Sequence, residues 1–466
     1  MSAQSFTSVI EGIEWPALPA PGNAAALALL FQMEQSQWWP PEEIRRHQDR
    51  QLASLLDHAR RTVPFYRDRL ADLGSLDGDA VSEAWSRVPR LRRSEIQAAG
   101  SDLISTALPP GHGEVGEIFT SGSTGRPIRA TRSDVWLLLW SAVTLRDHIW
   151  QRRDLRGKLA GIRESDRKVA TYPNGVAHGA WSDIEAMVAS HGPAVALNIH
   201  CSIEQQVEWL VRQDPDYLLT FPSNAANLAE YCLSRGVRLP KLREVITISE
   251  RLDPAVRVSC REAWNVGVGD IYSAREAGYL ALQCSDYEHY HVQSEVTLVE
   301  VLDEAGRPVA PGGVGQVVVT PLHNFAMPLI RYEIGDLAEL GAPCGCGRGL
   351  PVLRRILGRT QQMLVLPSGE RRIPLLSSGS LKTLIAAAPI RQYQLCQKSL
   401  EHIELRLVTA RRLEAGEEER LSGWVREKFG YPFVVSFSYH DEIPRDPGGK
   451  YQDFVSELGS ASAPRP

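Results

Sequence analysis

The most regular hydrophobic pattern in the chain follows Pro40-Pro41-Glu42-Glu43, a proline-and-acid run of the kind that opens helices. Ile44, Leu52, Leu55, Leu56, Ala59 and Val63 recur behind it at roughly helical spacing, until Pro64 stops the pattern. Between about residues 133 and 265, helical patterns alternate with short β-like runs, among them Tyr217-Leu218-Leu219-Thr220 and Val245-Ile246-Thr247-Ile248. That alternation predicts an α/β domain built on a largely parallel sheet. From Val292 the texture changes. Val296-Thr297-Leu298-Val299-Glu300-Val301 and Gln316-Val317-Val318-Val319-Thr320 flank a Gly/Pro-rich turn and read as antiparallel strands. A second shift near Gly358-Arg359 predicts two domains: a large N-terminal one over residues 1–357 and a small, mobile α+β one over 358–466. The tail from Gly459 to Pro466 is small and polar and reads as disordered.

Composition narrows the function classes. The chain has 466 residues, 43% hydrophobic and 23% charged, which suits a soluble globular protein with a large core. Its formal net charge of -5 argues against a general nucleic-acid surface. No apolar run approaches the roughly 18 residues a membrane-spanning helix needs, and Met1 to Pro16 lacks the pattern of a secretory signal. Seven cysteines in a chain this long do not make a disulfide scaffold, so a reducing cytoplasm is the expected compartment.

The candidate chemistry begins at Phe119-Thr120-Ser121-Gly122-Ser123-Thr124-Gly125-Arg126-Pro127. Glycines let backbone approach a phosphate closely, and clustered N–H and hydroxyl groups can surround its oxygens. The loop is not a Walker P-loop, because no lysine follows the last glycine; read alone, it is equally a surface turn. Four further segments stand out: Ile271-Tyr272-Ser273-Ala274-Arg275-Glu276-Ala277-Gly278, Arg331-Tyr332-Glu333-Ile334-Gly335-Asp336, Gly358-Arg359-Thr360, and Pro444-Arg445-Asp446-Pro447-Gly448-Gly449-Lys450. Each alone has an ordinary explanation as a strand end, a turn or a solvated loop.

Their order and spacing together resemble the adenylate-forming superfamily of acyl ligases, over roughly Ser36 to Phe454. Within it the likeness is to the phenylacetate–coenzyme A ligase family. Glu34 to Leu70, Ala326-Met327-Pro328-Leu329-Ile330-Arg331-Tyr332 and Pro343-Cys344-Gly345-Cys346-Gly347-Arg348 carry that likeness. The resemblance implies that a small carboxylic acid attacks the α-phosphate of ATP, with Mg²⁺ bound, and that coenzyme A captures the acyl-adenylate. By the same analogy Thr120, Ser121, Gly122, Ser123, Thr124 and Gly125 would wrap the β- and γ-phosphates. Tyr272 would stack near adenine, Glu276 would help hold Mg²⁺, Asp336 would accept the ribose hydroxyls, and Arg359 would assist at the ribose or phosphates. Lys450 would bridge carboxylate and α-phosphate, brought in by the C-terminal domain. Homodimerisation is common in the subfamily and is expected here.

Two positions depart from the pattern. Arg275 stands where the family has a threonine beside the α-phosphate, and it either adds a cation to the site or turns outward. Gln362 stands where an acid is frequent at the hinge. These leave open an amine or carrier-protein thiol as acceptor, or an anion other than a simple carboxylate. A catalytically idle nucleotide-binding scaffold is the third reading, disfavoured because Glu276, Asp336 and Lys450 are all present. Cys344-x-Cys346, with Cys284 shortly before His289 and His291, offers thiolates and an imidazole for a tetrahedral structural zinc, His291 favoured over His289. Buried unliganded cysteines would look the same. Trp181 and Phe221 are candidate walls of an acyl pocket, or equally core packing, and His178 reads as either a pocket residue or a core histidine, the core favoured.

Overall fold

Helices, the longest of them Pro41–Thr62, carry most of the described residues among the first hundred. The computed structural model describes residues 8–13, 16–74, 79–119, 128–166, 168–182, 184, 191–359, 363–372, 374, 390–445 and 451–458. The candidate phosphate loop Thr120 to Gly125, together with Gln362, Lys450 and the tail from Gly459, lies outside the described residues. The helix expected behind Pro40 is present as Pro41–Thr62, buried through Ile44, Leu52, Leu55, Leu56 and Ala59. Pro64 ends that pattern by opening another helix, Pro64–Arg69, in whose first turn its missing N–H costs nothing.

Strands β1 (Val115–Phe119) and β2 (Arg129–Ser133) pair as a separate antiparallel ribbon, whose connection is the glycine-hydroxyl loop. Twelve strands among the described residues then form one mixed sheet. Its first half comprises β3 (Leu159–Arg163), β4 (Val176–His178), β5 (Ala194–Asn198), β6 (Tyr217–Thr220), β7 (Glu244–Ile248) and β8 (Gly267–Ala274). Its second half comprises β9 (Gly278–Gln283), β10 (Tyr290–Val292), β11 (Thr297–Leu302), β12 (Val314–Pro321), β13 (Tyr332–Leu340) and β14 (Val352–Arg359). The order is β11-β12-β13-β14-β10-β9-β8-β7-β6-β3-β5-β4. The run β5-β3-β6-β7-β8 is parallel, and β11 pairs antiparallel with β12 as the patterning predicts.

The parallel strands are linked by helices with clear start and stop chemistry. Ser202 and Gln205 form a capping box before Ile203–Gln213, and Pro222–Arg235 ends on left-handed Gly236. Asp253 caps Pro254–Trp264 by accepting from the Ala255 N–H. Their inner faces close one core around Leu218, Leu228, Val245 and Cys260, while the antiparallel half packs a second around Leu280, Val319, Leu329 and Tyr332.

A ribbon of β15 (Leu364–Val365) and β16 (Arg371–Arg372) precedes the last sheet, formed by β17 (Ile390–Ser399), β18 (His402–Thr409), β19 (Val434–Tyr439) and β20 (Phe454–Ser456). The helix Ala415–Phe429 links the parallel pair β18 and β19. Leu395, Ile403, Leu405, Val425, Phe433 and Phe454 give this sheet a core of its own. The result is a parallel-rich α/β body with a smaller C-terminal α+β domain.

Candidate active site

The C-terminal ends of β3, β6, β7 and β8 open into a cleft of about 1730 Å³, whose lining includes Tyr393 from β17 and Tyr451 and Asp453 just before β20. Open ends of parallel strands are where α/β sheets bind ligands, since the loops leaving them converge without blocking the crevice. Five of the predicted catalytic and nucleotide-site residues, Tyr272, Arg275, Glu276, Asp336 and Arg359, meet here.

Tyr272 and Asp336 are joined directly. The buried Tyr272 hydroxyl donates to Asp336 Oδ2 at 2.8 Å, and Arg359 Nε lies 3.5 Å from Asp336 Oδ1. Asp336 and Arg359 are register partners across β13 and β14. A positive-φ glycine precedes each, Gly335 at 87° and Gly358 at 104°, conformations that cost side-chain-bearing residues strain. Burial first, and the Asp336 carboxylate second, raise the Tyr272 phenol well above its ordinary range, so it stays a donor.

Glu276, only 8% exposed, faces the same cleft and accepts from the Tyr332 hydroxyl at 3.3 Å. Burial and then Glu276 raise the Tyr332 phenol as well. Arg275 is exposed on the cleft wall, with Nη1 3.4 Å from the Phe119 carbonyl at the edge of the glycine-hydroxyl loop. It turns toward the end of β1. Sequence reasoning did not single out Glu250, which lines the same cleft. Nothing marks Glu250 along the chain, because its partners lie 27 and 201 residues away.

The candidate acyl-pocket residues divide. Trp181 lines the cleft, its Nε1 donating to the Gly157 carbonyl at 2.8 Å, and its ring packs edge-on against Tyr217. Phe221 lines the cleft but is 4% exposed and belongs to the core. His178 corrects the expectation of a core histidine: it is exposed on the cleft wall, because β4 is an edge strand with little packed on it.

Comparison with known proteins adds relatives to this geometry. Residues 370–457 match the family model described as the CapK C-terminal domain. A phenylacetate-coenzyme A ligase of Thermus thermophilus is 27% identical over 451 residues, spanning 88% of this chain and 96% of the relative. A protein of the same name from Pseudomonas putida is 26% identical, over 70% of this chain and 72% of its own. Among solved structures, a 2-hydroxyisobutyryl-CoA ligase in a postadenylation state shares the fold with a TM-score of 0.69 at 19% identity, covering 92% of both chains. The chain is thus similar along most of its length to proteins named phenylacetate-coenzyme A ligase, and it shares the fold of a CoA ligase.

Within this fold the cysteine cluster forms a separate feature at the ends of β9 and β10. Cys284, His289, His291 and Cys344 bring ligand atoms within 4.8 Å of one another. Cys284 Sγ lies 3.9 Å from Cys344 Sγ, and Cys346 Sγ lies 3.4 Å from His291 Nε2. Burial lowers His289 and takes His291 down to about 4, so both rings are neutral near pH 7. Burial raises Cys284 and carries Cys344 up to about 12. At Cys346 burial opposes the thiolate, but the Arg348 backbone N–H, Cys344 and the Arg348 guanidinium outweigh it and lower that thiol. His289 Nε2 is buried without a hydrogen-bond partner, the sort of orphan a metal would satisfy. The structure therefore gathers both histidines, where the sequence favoured His291.

Proposed function

We propose that this protein is an ATP-dependent acid–thiol ligase that adenylates a carboxylic acid, aryl or acyl, and passes the acyl group to coenzyme A. The observation that carries the reading is the convergence of Tyr272, Asp336, Arg359 and Glu276 on one cleft, walled opposite by the segment that follows Lys450. Relatives named phenylacetate-coenzyme A ligase along most of the chain support it.

In the first step a substrate carboxylate oxygen attacks the α-phosphorus of ATP, the α–β bridging bond breaks, and pyrophosphate leaves. In the second the coenzyme A thiolate attacks the acyl carbon and AMP leaves, the thiol proton passing to solvent. The protein has to align charges more than supply bonds. Asp336 would accept the ribose hydroxyls, as an acceptor-only carboxylate can, with Tyr272 and Arg359 fixing its orientation. Tyr272 is thereby committed to Asp336 through its hydroxyl, leaving its ring for adenine. Arg275, beside Phe119, would add positive charge near the phosphates bound by Thr120 to Gly125. Lys450 would neutralise the charge that develops between carboxylate and α-phosphate.

A hard divalent ion such as Mg²⁺ fits a site of one carboxylate and several phosphate oxygens, and Glu276 is the buried carboxylate that would hold it; when bound it would offset phosphate charge. At the cysteine cluster the donor set of neutral imidazoles and thiols fits a structural Zn²⁺. Cys284, His291 and Cys344 would be three of its ligands and Cys346 or His289 the fourth.

The same reading divides the chain into a nucleotide- and acid-binding domain over 1–357 and a lysine-carrying domain over 358–466, in a cytoplasmic homodimer. No disulfide joins any of the seven cysteines. None of the described helices is long and apolar enough to cross a membrane. The test is a panel of aryl, aliphatic and amino acids with Mg²⁺-ATP, following pyrophosphate with and without coenzyme A. Acid-dependent release that proceeds to a thioester is the expected result. Release without a thioester favours amine or carrier-protein acceptors.

A further inference from the structure

Glu250 occupies an unusual place. It follows β7 directly, after Ser249, whose φ of 70° turns the chain sharply at the cleft. Its side chain is only 9% exposed, and a carboxylate so enclosed stays ionised only if donors replace the water it has lost. Those donors come from two directions. From the N-terminus of the helix Pro222–Arg235, the Ser223 N–H reaches Oε2 at 3.0 Å and the Ser223 hydroxyl reaches Oε1 at 3.1 Å. From the C-terminal domain, the Tyr451 N–H reaches Oε1 at 2.7 Å, and Arg445 Nη1 sits 3.7 Å from the same oxygen while donating to Ser223 Oγ at 3.1 Å.

Arg445 and Tyr451 are the residues on either side of 446–450, so one carboxylate holds both shoulders of the segment that contains Lys450. A helix cap alone would need only the Ser223 contacts. The contacts to Arg445 and Tyr451 form only when the C-terminal domain lies against the cleft. A second bridge reinforces the same seam, with Arg251 lying 3.8 Å from Asp253 and 3.6 Å from Asp453. The Tyr451 hydroxyl, meanwhile, donates to the Tyr393 carbonyl and ties the segment back to β17.

We infer that Glu250 is a positioning residue for the adenylation step, a clasp that holds Arg445 and Tyr451, the residues flanking 446–450, against the cleft. The role in adenylation rests on the function proposed above; the clasp itself rests on the contacts alone.

Two readouts test it on the full-length protein. Trypsin can cut after Lys450, where the next residue's N–H is the one bound to Glu250. In Glu250→Gln the charge facing Arg445 is lost and one carboxylate oxygen becomes an NH₂ that faces a donor, so the clasp is weakened with little change in volume. Arg445→Met loosens one shoulder and keeps both Ser223 hydrogen bonds to the carboxylate. Both variants should be cut after Lys450 about tenfold faster than the parent, the scale of one charge-assisted hydrogen bond. With phenylacetic acid as probe, pyrophosphate release should fall about tenfold or more in both. Thioester formation from synthetic phenylacetyl adenylate and coenzyme A should hold at the parent rate, which general structural damage would not allow. Parent-rate cleavage in a folded Glu250→Gln protein, or equal loss of both half-reactions, overturns the clasp. The protease readout needs no acid and decides the clasp by itself. A parent protein that releases no pyrophosphate with any acid overturns the proposed function instead.

Discussion

Tyr272 and Asp336 touch at 2.8 Å although three strands, β14, β10 and β9, lie between theirs in the sheet. The contact is possible only because the sheet curls, wrapping its antiparallel half around the core that includes Tyr272, Leu280 and Tyr332. Curvature thus delivers an aromatic donor from one strand to a carboxylate on another, at the cleft where the nucleotide is proposed to sit.

Removing that donor should weaken nucleotide binding without unfolding the protein. Tyr272→Phe keeps the ring and loses one hydrogen bond to a charged acceptor, a loss of roughly 1.5–3 kcal/mol at most. ATP affinity, measured by titration calorimetry, should fall about tenfold or more. Asp336→Ala should fall further, since the proposed acceptor for the ribose itself is gone. Unchanged affinity in both would remove them from the nucleotide site.

The cysteine cluster predicts about one equivalent of zinc in purified protein, a stoichiometry set by one tetrahedral site. Cys344→Ser should lose the metal and lower the melting temperature, because binding free energy at a structural site is folding free energy. His289→Ala and Cys346→Ser separate the two candidates for the fourth ligand, since only one of them should lose metal. Protein that is metal-free as purified, and melts at the same temperature after chelation, would contradict the site.

Beside the cleft lies a buried ion network. Arg153, 2% exposed, pairs with Asp147 and, at 2.9 Å, with Glu244. Burial works against the charge, but the two carboxylates hold the guanidinium protonated. Arg153→Met leaves both acids without their cation, a change that costs about 3–5 kcal/mol in comparable buried pairs. Denaturant unfolding should show a loss of that size. A loss below about 1 kcal/mol would mean the network is solvated, as surface pairs are.

A pH dependence follows at the C-terminal domain. The Arg411 guanidinium, 2.7 Å from Glu417, is the largest of the causes that hold the Glu417 carboxyl down to about 2. A carboxyl lowered in the folded state stabilises the fold above its unfolded pKa, near 4.5, and that stability fades as pH falls toward 2. Glu417→Gln should therefore lower the melting temperature at pH 7 and converge on the parent as pH approaches 2. A constant difference across that window would assign the effect to packing.

Much of this could be read along the chain, and the limits have physical causes. Tyr217-Leu218-Leu219-Thr220 coincides with β6 because a strand buried between helices needs a continuous apolar run. The helix Pro21–Ser36 gave no signal, since its alanines and leucines lie all round rather than on one stripe. Asp336 and Arg359 were visible as separate motifs, but their pairing is a property of strand register. Glu250 was silent: a carboxylate after a strand looks like any solvated turn until a segment 201 residues later folds onto it. His178 was misjudged because an edge strand leaves its side chains open to the cleft.

The central claim is that Lys450 drives acid adenylation in this cleft. The direct measurement is pyrophosphate release from Mg²⁺-ATP and the best acid of the panel, in the parent and in Lys450→Ala, with ATP affinity measured alongside. Removing a preorganised cation from developing charge should lower release about 10²–10³-fold while ATP still binds. Release at the parent rate in Lys450→Ala would contradict the account.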